Sequence, residues 1–267
     1  MSKIYLLDRN AVSIIKDSNC GKPQEGKKLE LLKKIKSLDN KKFIFSPLLS
    51  IFEGQHGRRE TRDEITQTIA KESSHIGRFF KNARTDCDFL RENNLLISNL
   101  ISGERELNFD GYIGFLNYAK EYIYQPLPEE KKYEVLEELV KEASHFGVPL
   151  GHPVFVCCAA TIFGCSVARK VLKPKVKNYN AHNALSDLIL ISRINNIKSL
   201  MVNDRVKFKF VTLDVALEKF ISMVSVVSVS PINNGCLQYL SYSQELFPDL
   251  GESDYQRLME RLGGVVD

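Results

Sequence analysis

The chain has 267 residues, 43% of them hydrophobic and 26% charged, the balance of a globular protein with material for one large domain or two small ones. Its formal net charge of +4 permits contact with a polyanion without demanding it, so the placement of charge matters more than its sum. The apolar run at 153–168 falls short of the ~20 residues of a membrane span, and "MSKIYLLDRN" is too short in apolar residues for a signal peptide, which argues against a membrane role. The cysteines, Cys20, Cys87, Cys157, Cys158, Cys165 and Cys236, form no CxxC pair, and Cys157 and Cys158 adjoin inside "PVFVCCAATIFGCSVA". They read as buried, reduced thiols and not as a disulfide framework or a zinc site, which places the chain in the cytoplasm.

In chain order, 3–7 is a short apolar run suited to a buried strand, and "RNAVSIIKDS" is a short helix. "EGKKLELLKKIKSL" puts Leu31, Leu32, Ile35 and Leu38 on one helical face with lysines mostly opposite, an amphipathic surface helix. "KKFIF" is a second buried strand. Ser46 and Pro47 form an N-cap and first-turn pair that starts a helix carrying Glu53. The stretch 56–178 is mostly helical, with Pro128 at a first-turn position and weak strand signals. From 179 the alternation resumes: a helix to 196, the strand "FKFVT", a short helix, the β-branched run "ISMVSVVSVS" and a helix around "SDYQRLMERLGG". Strands alternating with helices predict an α/β fold with a mostly parallel sheet covered on both faces. The expectation is a single domain, its core from 1–55 and 179–267 and a helical insertion at 56–178.

Four carboxylates stand at unusual places. Asp8 and Asp214 each end an apolar strand and precede a helix, and the carboxyl ends of parallel strands open into a binding crevice. Asp is also a favoured helix N-cap, which accounts for either one alone. Asp187 lies in a helix that is apolar almost all round, where an ionised group must be paired or metal-bound. Glu53 follows the second strand by one short helix, where a Glu before a glycine is ordinarily solvated. Taken together, all four can point to one end of one sheet. Clustered carboxylates repel unless a cation neutralises them, and an all-oxygen set suits one or two Mg²⁺ or Mn²⁺ ions. Such a site would activate water for an in-line phosphoryl displacement.

The order "YLLD", "SIFEG", "NALSDLILISRI", "FVTLD" resembles the PIN-like domain superfamily of metal-dependent nucleases, over roughly 1–55 and 179–230. In that family an acid ends the first strand, a glutamate follows the second, a third acid sits on the helix before the fourth strand, and T-x-D ends that strand. The resemblance implies a three-layer α/β/α sandwich and assigns Asp8, Glu53, Asp187 and Asp214 as catalytic metal ligands, with Thr212 as the motif threonine. It implies a nuclease, an endoribonuclease before a DNA enzyme, of a toxin or phage-defence type. The long separation of Glu53 from Asp187 departs from the small toxin-type members and leaves the inserted region unassigned.

Basic residues flank the acids: Arg58, Arg59 and Arg62 after Glu53, and Arg169, Lys170, Lys173, Lys175 and Lys177 before Asp187. They could hold a phosphate backbone, or be the solvated faces that charge runs usually are. Asn183, one turn before Asp187, could hydrogen-bond to a metal-holding acid, as could Thr212, or be a ligand itself, or be only a polar residue at a helix start. His75, His145 and His152 share no metal spacing. Two other readings stay open: a catalytically inactive PIN-like binding or scaffold module, and a small-molecule phosphatase. Against the phosphatase, the first strand ends "DRN" instead of D-x-D, and there is no Gly-rich phosphate loop or G-x-S-x-G elbow. A protein inhibitor or a second copy of the chain stays open as a partner.

Overall fold

The computed structural model describes residues 2–54, 60–103, 108–174, 179–200, 206–232 and 235–263. They divide between two compact units, one of Met1–Arg105 with Asn196–Val215 and the other of Glu106–Asn195 with Ala216–Asp267.

The first unit is built on a parallel sheet of β1 (Ser2–Leu7), β2 (Phe43–Ser46), β3 (Arg84–Thr85) and β4 (Val206–Val211), in the order β3-β2-β1-β4. Lys3 through Leu6 pair with Phe43 through Ser46, and Ser2 through Leu7 with Val206 through Val211, so β1 is the central strand for both neighbours. A strand with neighbours on both edges and layers on both faces has no polar side, which is why "IYLL" reads as continuous apolar sequence. Alternate residues serve opposite faces: Ile4 and Leu6 are buried on one, Leu7 and Phe45 on the other. On the second face Phe45 stacks between Tyr5 and Phe80, with ring centroids 5.0 and 4.0 Å away. That face is closed by α1 (Arg9–Asn19), α2 (Gly26–Ser37) and α4 (Arg62–Phe79), through Ile14, Ile15, Leu31, Leu32, Ile35 and Ile76. Sheet and flanking helices form the three-layer α/β/α arrangement that the alternating pattern predicts.

α2 presents the expected Leu31, Leu32 and Ile35 to the core, with Leu38 partly buried beside them. α3 (Leu48–Glu53) begins one residue later than expected, so that Pro47 and not Ser46 is its N-cap, although Ser46 Oγ accepts from the Leu48 N–H at 3.2 Å. The region expected as one insertion divides between the units. α4, β3, α5 (Cys87–Glu92) and α6 (Asn94–Gly103) belong with the sheet, where Ile51, Ile65, Ile69, Leu90 and Ile97 form a second core cluster.

The second unit holds α7 (Phe109–Ile123), α8 (Glu129–His145), α9 (Pro153–Ile162), α10 (Ser166–Leu172), most of α11 (Ala181–Leu200) and of α12 (Val215–Ser222), and α13 (Glu252–Arg261). Every residue of α9 is buried, including Cys157 and Cys158, which burial holds as neutral thiols. The β-branched run forms β5 (Val224–Ile232), which pairs antiparallel with β6 (Gly235–Tyr242) in a separate two-stranded sheet. Its end is fastened where the Tyr242 hydroxyl donates to the Gly151 carbonyl at 2.7 Å, while Tyr255 donates to the carbonyl of Tyr242. Among the described residues, no helix is long and apolar enough to cross a membrane, and Cys20, Cys87, Cys157, Cys158 and Cys165 are free thiols.

Candidate functional site at the carboxyl edge of the parallel sheet

Parallel strands deliver their carboxyl ends to one edge, so the residue after each strand falls into a single row. β1 gives Asp8 and β4 gives Thr212 and Asp214, and these strands are direct neighbours. The ladder runs one step past the strands, the Asp8 N–H donating to the Val211 carbonyl at 3.2 Å, which sets Thr212 beside Asp8. Asp8 is 3% exposed. Its Oδ1 accepts from the Ala11 N–H at 2.7 Å, the N-cap of α1. Burial pushes the Asp8 carboxyl up to about 6, against hydrogen bonds from Thr212, the Ala11 amide and Asn10; the charge of Asp214 pushes it further up. The Thr212 hydroxyl has a second role, accepting from the Asp214 N–H at 2.9 Å. One buried threonine thus fixes both strand-end acids.

Glu53 reaches the same edge from α3. Its Oε2 accepts from the Arg9 N–H at 3.3 Å, directly after Asp8 in the chain. Gly54 follows at φ +63° and ψ −162°, a conformation that only glycine adopts without strain, and it turns the chain away immediately after Glu53.

One strand-end acid, Asp86, has no signal in the sequence. β3 is followed by Asp86 and β2 ends on Ser46, whose hydroxyl donates to Asp86 Oδ2 at 2.6 Å. Burial pushes the Asp86 carboxyl up to about 6, with the Ser46 hydrogen bond acting the other way. Across the sheet the edge therefore reads Asp86, Ser46, Asp8, then Thr212 and Asp214. On the helical side, Glu72 of α4 accepts from Ser50 Oγ at 3.1 Å, and burial drives it up to about 7, opposed by Ser50 and by the charge of Arg9. Asp86 was hidden because β3 has two residues and makes no apolar run; Glu72 sits on an amphipathic helix whose polar positions look alike in sequence.

Asp187 belongs to the other compact unit. Its neighbours Leu185, Leu188, Ile189, Leu190 and Ile191 are buried as the helical wheel predicts, but its own side chain is 30% exposed and lies 3.8 Å from Lys173 Nζ. Lys173 is the C-cap of α10, in the left-handed conformation at φ 51°. Arg169 is occupied internally, donating to the carbonyls of Ile123 at 2.7 Å and Thr161 at 3.4 Å, so it ties helix ends together. Lys170 and Arg62 are exposed, and Asn183 is exposed with its N–H bonded to Asn180. Arg58, Arg59, Lys175 and Lys177 lie outside the described residues. His152 is structural: its Nδ1 accepts from the Val154 N–H, its ring stacks on Tyr112 at 4.4 Å, and burial lowers its pKa to about 4.

Among the described residues, no group of three or more His, Cys, Asp or Glu is gathered closely enough to hold a metal ion. The chemistry of the donor set at the edge nonetheless suits one: Asp8, Glu53 and Asp214 offer only hard oxygens, and a cation would relieve the burial and repulsion that push Asp8 up. No family model, no curated protein and no solved structure matches this chain.

Proposed function

We propose that the chain is a metal-dependent phosphodiester hydrolase of PIN-like type acting on RNA in preference to DNA. The observation that carries the reading is the Asp8–Thr212–Asp214 linkage across the ends of the adjacent strands β1 and β4. Glu53, held to the backbone of Arg9 at the same edge, supports it. The elements around Asp8, Glu53, Asp187 and Asp214 also fall in the order that the PIN-like resemblance implies: strand end, helix after the second strand, helix before the fourth, and T-x-D.

Asp8, Asp214 and Glu53 would hold Mg²⁺ or Mn²⁺, with Asp187 as the fourth acid of the motif. When bound, such an ion supplies an activated water and charge stabilisation for phosphoryl transfer. The chain's own contribution is preorganisation. Thr212 holds the Asp8 carboxylate while accepting from Asp214, Ala11 fixes the Asp8 Oδ1, and Arg9 N–H orients Glu53.

The test is cleavage of end-labelled single-stranded RNA and DNA with Mg²⁺, Mn²⁺ or chelator, using the parent chain and Asp8→Asn, Asp214→Asn and Asp187→Asn. Ion-dependent cleavage of RNA that each substitution abolishes is the expected result. Cleavage that survives Asp214→Asn, or none under any condition, refutes the proposal. A second reading, a non-catalytic PIN-like module, is favoured by the capping role of Asp8, the Lys173 contact of Asp187 and the lack of a gathered metal group among the described residues. It predicts no divalent-ion binding by calorimetry.

A further inference from the structure

The opposite end of the first unit has the reverse electrostatic character. α1 leaves the carboxyl edge while α2 and α4 lead into β2 and β3, so the last turns of these three helices come together at the amino end of the sheet. They enclose an open pocket of 440 Å³. Lys36 of α2, Arg78 of α4 and Lys81 of the following turn line it, with Ser18 and Asn19 from the end of α1. The acid on its wall, Asp39, is already engaged: it accepts from the backbone N–H groups of Lys81, Asn82 and Ala83 at 3.1, 2.9 and 2.6 Å. Burial raises its pKa, and those amides outweigh burial and hold it below the usual range. Lys36, Arg78 and Lys81 make no ion pair among the described residues.

The surroundings add to the positive field. His75 is held below its ordinary pKa by burial and by the charges of Lys16, Arg78 and Lys71, and Lys16 is lowered by burial and by Lys71. Cations in the last turn of a helix complement its dipole, which accounts for Lys36 and Arg78 singly. It does not account for Lys81, which lies beyond any helix, nor for three basic residues lining one cavity together with Ser18 and Asn19.

From this convergence we infer that the pocket of Lys36, Arg78 and Lys81 is a binding site for a multiply charged phosphate, with Arg78 the bidentate partner and Ser18 the neutral hydrogen-bonding group, Asn19 Nδ2 being engaged with the His75 carbonyl at 2.8 Å. The volume exceeds what one phosphate needs and suits consecutive phosphates, whether of a free oligophosphate or a phosphodiester backbone. This site shares no residue with the carboxyl edge and does not depend on the nuclease reading.

The probe is tripolyphosphate, titrated calorimetrically into the whole chain at low salt. Saturable binding is expected, weakened at least about tenfold in a Lys36→Ala/Arg78→Ala/Lys81→Ala variant. A variant carrying Lys27→Ala, Lys33→Ala and Lys42→Ala removes the same charge from exposed positions outside the pocket and should bind within about threefold of the parent. Circular dichroism and melting establish that both are folded, and an Arg78→Lys single variant should fall between parent and triple variant. Asp8→Asn should bind as the parent does. A short single-stranded RNA that competes with tripolyphosphate identifies a phosphodiester backbone as the ligand; failure to compete identifies a free oligophosphate. No saturable binding, or equal weakening in the two triple variants, overturns the inference.

Discussion

Replacing Asp8 by Asn should make the protein more stable at neutral pH. Asp8 is 3% exposed, and burial raises its carboxyl from 3.8 to about 6. Because the folded chain holds this proton more tightly than the unfolded chain, the associated stability is complete below pH 3.8, is lost as pH rises through about 6, and stays lost above it. A shift of about two units at roughly 1.4 kcal/mol each makes ionised Asp8 a burden of about 3 kcal/mol at pH 7.5. The Asn oxygen keeps the shape and can still accept from the Ala11 N–H, so the cap survives while the buried charge does not. Urea denaturation of parent and variant at pH 4 and pH 7.5 measures this. Asp86 and Glu72 are shifted in the same direction and give both proteins a falling stability with pH, but they cancel in the difference. That difference should move toward the variant by about 2–3 kcal/mol between the two pH values. A difference independent of pH would refute the claim that Asp8 is ionised against the fold's own stability.

The same coordinates give three further expectations. Phe45→Ala, which empties a fully buried position stacked between Tyr5 and Phe80, should cost about 3–5 kcal/mol in urea unfolding. Gly54→Ala should cost about 1–3 kcal/mol because a side chain at φ +63° is strained and its Cβ meets Glu60 Oε2 at 2.9 Å; thermal melting reads it directly. Removing the ion pair by Lys173→Ala should change stability by less than about 1 kcal/mol in thermal melting, since the contact with Asp187 is 3.8 Å long between side chains 52% and 30% exposed.

Legibility in the sequence followed the strength of the local pattern. β1 and β2 announce themselves by short apolar runs, β4 by Phe and Val alternating with exposed Lys207 and Lys209 as suits an edge strand, and α2 because its lysines and leucines separate at helical spacing. β3 is invisible for the opposite reason: its two residues, Arg84 and Thr85, join the sheet through backbone pairing with Ile44 and Phe45, which no side-chain pattern reports. Without a legible β3, α4 to α6 read in sequence as part of the inserted region, while Ile65, Ile69 and Ile76 pack α4 into the cores of the first unit. β5 was legible as a strand but not its partner, because the β-branched pattern of β5 does not itself report the antiparallel pairing with β6.

The candidate site was legible at Asp8 and Asp214 because a strand end is a topological position, and topology is what parallel alternation encodes; Glu53, at the end of α3, was legible only through the motif order. The question the sequence left open, cap or ligand, is answered for Asp8 on the side of the cap without closing the other side. A carboxylate has about four lone-pair positions, and the bond from Ala11 engages Oδ1 alone. A residue that only capped α1 would do so at less cost as Ser or Asn, neutral and equally suited to the N-cap. Asp8 instead stays buried beside a second acid, with Thr212 joined to both, at a pKa near 6 that leaves it mostly ionised at neutral pH. That combination is unfavourable for the fold in isolation, and the proposed cation would offset it.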